Sequence, residues 1–158
     1  MEPEVHIIEQ YLQHFRSFFT RTNIRLKRGK EIDILAVDAL GLNRYHIECR
    51  VATTRQFKLV PGDAPKKGLD WLLKEKFDHP FVSSDISSAF RTSDYKRVLV
   101  VWDASNEALE EAKKKNLEIW KMQEILKEMS RNIRGKGHRD DILRVIELMS
   151  KDEREKPL

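Results

Sequence analysis

The chain has 158 residues, which suits one domain with one sizeable core. Hydrophobic residues make up 40% and charged residues 35%, so the composition is globular with an unusually charged surface. The net charge of +4 permits nucleic-acid binding without demanding it, and the single cysteine, Cys49, excludes an internal disulfide and argues for a reducing compartment and against a cysteine zinc site. The longest strongly apolar run, Val98 to Trp102, is too short to span a membrane. The acidic start "MEPEVHIIEQ" has no signal-peptide apolar region, and the expected location is cytoplasmic.

The first element reads as a helix over Glu4 to Phe19. Val5, Ile8, Leu12, Phe15 and Phe19 recur at three- and four-residue steps and form one apolar face, with Glu9 beside it. "NIRLKRGKEIDILAVD" reads as a hairpin turning at "RGK", and a second turn, "LGLN", leads into "RYHIECRVA". Three antiparallel strands in a meander are the simplest arrangement.

Beyond Thr53 the signal weakens. "LVPGDAP" is a loop, and "KKGLDWLLKEKF" is a helix with Leu69, Leu72, Leu73 and Phe77 on one side. "VSSDISSAFRTSDY" is polar and has no clear assignment. "RVLVVWD" is a buried strand in a parallel part of the sheet. "SNEALEEAKKKN" is a helix capped by Ser105 and ended by Asn116, followed by the short strand "LEIW". "MQEILKEMSRNI" is a helix, "RGKG" breaks it, and "RDDILRVIELMSK" is a last amphipathic helix. The whole is an α/β sandwich around a mixed sheet.

Chemistry concentrates in "EIDILAVDALGLNRYHIECR". A four-residue loop over Leu40 to Asn43 sets Ala39 across from Arg44, Asp33 across from Arg50 and Leu35 across from Glu48. Strand alternation then puts Asp33, Glu48 and Arg50 on one face. The two acids become diagonal neighbours, about 7–8 Å apart at the backbone, close enough to share one divalent ion. Oxygen ligands of this kind suit Mg²⁺ or Mn²⁺. The plainer alternative is a cross-strand ion pair of Asp33 with Arg50 on an exposed face, beside a solvated Glu48.

The same residues, "EIDILAVD…RYHIECR", resemble the core of the PD-(D/E)xK, or restriction-endonuclease-like, nuclease superfamily, nearest its Mrr-type and archaeal resolvase-like branch. The resemblance runs from Glu4 to about Asn132, and "RVLVVWDASNEALEEAKKKNLEIWKMQEILKEM" is similar to the Mrr-type tail. It implies a restriction-endonuclease-like mixed β-sheet flanked by helices, in the order α-β-β-β-α-β-α-β-α. The nuclease core would cover residues 1–135, and the C-terminal helix, 136–158, would belong to the same domain. Asp33 matches the signature aspartate and Glu48 the second acid. Cys49 would lend its backbone carbonyl to the metal, and Glu9 matches the first-helix acid that approaches the metal through water. The implied cofactor is Mg²⁺ (or Mn²⁺), and the implied partner is DNA. Nucleases of this fold often dimerise, which makes the last helix a candidate interface.

Two departures stand out. Ile32 replaces the proline before Asp33, and Arg50 sits where the signature lysine belongs. Arginine cannot act as a base at physiological pH, though it can clamp a phosphate through two hydrogen bonds. Arg50 therefore serves weakened catalysis, marks a protein that binds DNA without cutting it, or is accompanied by Lys30 or Lys58 reaching in from a neighbouring element. Arg25, Lys27, Arg28, Lys30, Arg55 and Lys58 would track the DNA backbone. His46 shares the face of Glu48, but a lone strand histidine is more often a satisfied residue. His138 reads as part of a helix start, and Trp71, Trp102 and Trp120 as core. Gln56 is a weak candidate for the polar residue that some branches place after the signature. The function expected is metal-dependent DNA cleavage. The alternatives are a nuclease-fold module that binds DNA without cutting it and a scaffold for a protein partner.

Overall fold

The computed structural model describes residues 2–26, 29–51, 58–133 and 138–155, with residues 152–155 described by backbone alone. Helix α1 spans Pro3–Phe15. Proline at its first turn lacks only a donor that the turn would leave unpaired anyway. Val5, Ile8 and Leu12 point inward and are buried. The helix is shorter than the Glu4–Phe19 run read from its spacing, because the chain turns at Ser17, whose φ is 56°. Strand β1, Phe18–Arg25, begins there and alternates between half-buried and exposed positions. The turn makes Phe18 the inward residue, packed 5.1 Å from Tyr45, and leaves Phe19 71% exposed.

Strands β2, Glu31–Asp38, and β3, Arg44–Arg50, complete the meander. Both are buried along most of their length because helices cover both of their faces. A two-residue strand β4, Lys58–Leu59, precedes helix α2, Leu69–Leu72. That helix continues as a π-helical turn over Leu73–Phe77. Helix α3, Pro80–Phe90, occupies the segment that the sequence left unassigned. Then come β5, Lys96–Val101, the short β6, Asp103–Ala104, and helix α4, Asn106–Lys114. Strand β7, Leu117–Lys121, and helices α5, Met122–Asn132, and α6, Asp141–Glu155, end the described chain.

The main sheet has five strands in the order β1-β2-β3-β5-β7. The β1–β2 and β2–β3 pairs are antiparallel, and the β3–β5 and β5–β7 pairs are parallel. Strand β5 lies at the parallel centre, and Val98 to Val101 are fully buried. Strands β4 and β6 form a separate two-stranded parallel sheet. This is the mixed α/β sandwich expected from the sequence, with α3, β4 and β6 added to the elements read there.

Two layers of helix enclose the sheet. On one face α1, α5 and α6 pack Ile8, Leu12, Met129 and Leu143 against Ile34, Ile47 and Val98. On the other face α2, its π turn and α4 pack Leu69, Phe77 and Ala108 against Leu99 and Val101. Beside them, α3 sets Val82 and Ile86 over Ile32 and Leu35. Each of these large buried side chains contributes about 1.5–3 kcal/mol of hydrophobic stabilisation.

The β2–β3 register differs from the expected one by two residues. Ile34 faces Ile47, Leu35 faces His46 and Val37 faces Arg44. The cause is Asp38, which closes the turn earlier than "LGLN" suggested. Its N–H donates to the Asn43 carbonyl at 2.9 Å, and its carbonyl accepts from Leu42 N–H at 2.8 Å. Its side-chain oxygen also accepts from Leu40 N–H at 2.8 Å, an Asx turn. A slip of two, unlike a slip of one, keeps every side chain on its expected face.

Helix α4 starts as its sequence dictates. Ser105 Oγ accepts a hydrogen bond from Ala108 N–H at 3.1 Å, capping the first turn. Ser105→Ala should therefore cost about 1 kcal/mol of stability, read as a lower urea midpoint with an unchanged slope.

Candidate active site

The observed register, continued by one step past Ile34–Ile47, places Asp33 directly across from Glu48. Both side chains project from the face covered by α2 and α3. The β2–β3 ladder gives way here to a side-chain contact, since Cys49 N–H donates to Asp33 Oδ2 at 2.8 Å. On the far side of β2, pairing with β1 skips Asn23, whose φ is 50°. Asparagine tolerates this left-handed conformation better than most residues.

Glu48 is 1% exposed, an expensive place for a carboxylate unless it is partnered. His46, equally buried and two residues earlier, directs Nε2 at Glu48 Oε1 at 2.8 Å. With Glu48 ionised, that contact requires the proton to sit on Nε2. Phe77 holds the His46 ring at 4.7 Å between centroids, so the imidazole fixes the carboxylate's orientation. His46 is thus a satisfied buried residue.

The second partner of Glu48 comes from another element. Lys76, on the π turn, brings Nζ to 3.1 Å from Glu48 Oε2. The contact is a charge pair without hydrogen-bond alignment, and Oε2 is left with no directed donor. Burial works against the Lys76 charge, but the Glu48 and Asp33 carboxylates outweigh it and raise its pKa. Burial, followed by the charge on Glu48, pushes Asp33 up to about 7; the Cys49 N–H and Lys76 only partly offset this.

Asp33 and Lys76 open onto a cleft of about 390 Å³, lined also by Arg50, Lys30 and Glu75, with Glu48 buried behind it. Arg50 is not the cross-strand partner of Asp33. It sits beside Val101 of β5, and its buried Nε has no hydrogen-bond partner.

A hard divalent cation fits the donor set. Glu48 Oε2 faces the Lys76 ammonium at 3.1 Å, Asp33 is destabilised as an anion, and the donors are oxygens. The Cys49 carbonyl points to the same side of β3 as its N–H, toward Asp33. The Cys49 thiol lies in the core cluster on the opposite face, and burial pushes it well above the usual thiol range. Among the described residues no group of three His, Cys, Asp or Glu side chains could hold a metal. The protein thus offers two carboxylates and a carbonyl, leaving the rest of the shell to water, the pattern Mg²⁺ favours.

Glu9 is not brought to this cluster. It lies on the α1 face of the sheet, with Oε1 3.4 Å from the Thr20 and Thr22 hydroxyls and Oε2 3.7 Å from His6. The helix-period reading placed it beside the apolar face, and that face packs on the side of the sheet away from Asp33. The acid that α1 does bring to the cleft is Glu2, its N-cap residue. Lys30 lines the cleft and stands 3.7 Å from Glu75. Lys58 lies in β4 paired with Asp103, and Arg25 binds Glu31 at 3.2 Å on the surface. Lys27, Arg28, Arg55 and Gln56 fall outside the described residues.

Lys76 is the residue that sequence reading missed. Its signal was present, since it falls seven residues after Leu69 and three after Leu73, on the core-facing stripe of the predicted helix. A lysine in that stripe needs a buried partner.

Asp33 ionises at about 7 in the folded chain and near 3.8 unfolded, so its contribution is nil at low pH. It becomes a penalty as the pH rises from 3.8 and is fully developed above 7. Metal-free Asp33→Asn should therefore be more stable than wild type at pH 8, by on the order of 1–2 kcal/mol after allowing for partial solvent exposure. The advantage should shrink steadily toward pH 4 in thermal melts with chelator.

No protein-family model matches the chain, and no curated protein matches it. A solved structure that it resembles is the crystal structure of a repair endonuclease from Pyrococcus abyssi, with a TM-score of 0.47 and 15% sequence identity. The match covers 77% of this chain and 47% of that one, so this chain spans about half the length of that protein.

Proposed function

We propose that the chain is a metal-dependent DNA endonuclease that hydrolyses phosphodiester bonds. The observation that carries this is a pair of adjacent acids at an open cleft, Asp33 lining it and Glu48 buried behind it, with Arg50 and Lys76 in the same lining. Asp33, Glu48 and the Cys49 carbonyl would hold Mg²⁺ or Mn²⁺. Such an ion, when bound, supplies Lewis acidity toward phosphate and a water of lowered pKa.

The chain's own residues set up the rest. His46 holds one oxygen of Glu48 and so turns the other toward Lys76, which lines the cleft. Cys49 N–H does the same for Asp33 Oδ2. Arg50 lines the cleft and has the planar pair of donors that matches two phosphate oxygens. Lys30 extends the positive charge along the cleft, with Arg25 and Lys58 further out, in the role of backbone contacts that carry no sequence information.

Supercoiled plasmid, single-stranded and branched DNA should be cut with Mg²⁺ or Mn²⁺ and left intact with chelator. Asp33→Ala and Glu48→Ala should each reduce the rate at least 100-fold. Undiminished cleavage by both variants would end the proposal.

A second reading, DNA binding without cleavage, draws support from Arg50 in the lysine position, because a guanidinium does not give up a proton. It calls for DNA affinity that falls steeply with salt, no cutting under any metal condition, and no gain of cutting in Arg50→Lys.

A further inference from the structure

The ammonium that pairs with the buried acid does not come from β3. It comes from a turn of helix packed over it, and three observations bear on what it does there.

The first is geometric. Lys76 Nζ is 3.1 Å from Glu48 Oε2, and its side chain is 35% exposed, whereas Glu48 is 1% exposed. The lysine spans the boundary, with one end of its reach on a buried acid and the other on the open cleft. A purely structural counter-ion for Glu48 has no need to line a cleft, and Glu48 already has His46 on its other oxygen.

The second is the backbone that delivers it. Asp78 N–H donates to the Leu73 carbonyl at 2.8 Å, five residues back, so this turn holds one residue more than an α-helical turn. Such insertions recur at functional sites. Here the wider turn lets Lys76 and Phe77 both address the sheet, Lys76 against Glu48 and Phe77 against His46.

The third is Arg50. It stands on β3 two residues after Glu48, yet its Nε touches no acceptor, and among the described residues no ion pair joins it to Asp33 or Glu48. Guanidinium and ammonium are thus divided between two elements, with different tasks open to each. Arginine offers a rigid fork, and lysine a compact charge with three rotatable donors.

Resting on the nuclease reading above, we propose that Lys76 is the catalytic lysine of this site, displaced from strand to helix, while Arg50 binds the phosphate. In the reaction a water oxygen bonds to phosphorus and one phosphorus–oxygen ester bond breaks. The water's proton leaves to solvent, and the departing oxygen takes a proton from solvent. Lys76 stays protonated throughout. It donates hydrogen bonds that orient the attacking water and offset charge on the phosphate oxygens.

The test compares wild type with Lys76→Met, Lys76→Arg, Arg50→Lys and the double variant Lys76→Met/Arg50→Lys. Methionine keeps the aliphatic stem, and arginine keeps the charge beside Glu48, so the second variant preserves folding if the first does not. Plasmid cleavage should fall at least 100-fold in Lys76→Met and at least tenfold in Lys76→Arg, with DNA affinity by anisotropy within about threefold of wild type. The double variant should recover at least tenfold over Lys76→Met, because a lysine at position 50 restores the ammonium from the strand. Independently of activity, removing a cation from beside two acids should tighten Mn²⁺ binding in Lys76→Met at least threefold by calorimetry. Cleavage by Lys76→Met or Lys76→Arg at the wild-type rate, or no recovery in the double variant, overturns the assignment while leaving the nuclease reading intact. A wild-type protein that neither cuts DNA nor binds Mn²⁺ overturns both.

Discussion

The pairing of β2 with β3 is the constraint on which the cleft depends. Ile34 and Ile47 form the last described rung of that ladder. One step further on, a rung that would carry two neutral side chains in an ordinary sheet carries Asp33 and Glu48. The β2–β3 ladder ends its regular hydrogen bonding there, and a carboxylate takes the Cys49 N–H instead. Two like charges at one rung are destabilising. Every other group in the cleft answers that conflict: His46 on one oxygen of Glu48, Lys76 near the other, and an Asp33 that resists ionisation until about pH 7. A protein under selection for stability alone would have an easier time with apolar residues at these two positions. The conflict is the kind found where local strain serves binding or chemistry.

Much of this was legible in the residues. The parallel centre was readable from Arg97 to Trp102 because a strand buried on both faces has no polar alternation. Helix α4 was readable from its two ends, with Ser105 as a cap and Asn116 in a left-handed turn. The shared face of Asp33 and Glu48 was readable from strand alternation, and it survived an error in register because that error was an even number of residues. What determined the true register, an aspartate folding back on its own turn, is a local side-chain choice that apolar patterning does not encode.

The misses have physical causes as well. Helical spacing continued past Phe15 by coincidence, since Phe18 and Phe19 supply an apolar residue whichever way the chain turns. Helix α3 was hidden by its serines, which compete for backbone hydrogen bonds and blur the period. Pro80 at its start and the Val82, Ile86 and Phe90 spacing were the usable signals. Glu9 was carried over from a family pattern. Its side chain follows α1 to the face where Val5, Ile8 and Leu12 must be buried, and that face looks away from the acids. Lys76 was passed over because a residue from a separate helix can be placed beside a strand only when the packing of that helix is known.

The π turn has a further implication for how such a site changes over time. An α-helical turn and a π turn differ by one residue of chain, so deleting a single residue from 73–75 leaves a helix that can still form. What such a deletion alters is the direction of every side chain beyond it, Lys76 included. The orientation of this cation toward Glu48 is therefore governed by the count of residues in the turn rather than by their identities. Insertion and deletion, more than substitution, are the mutational steps by which a strand could hand its positive charge to a neighbouring helix or take it back.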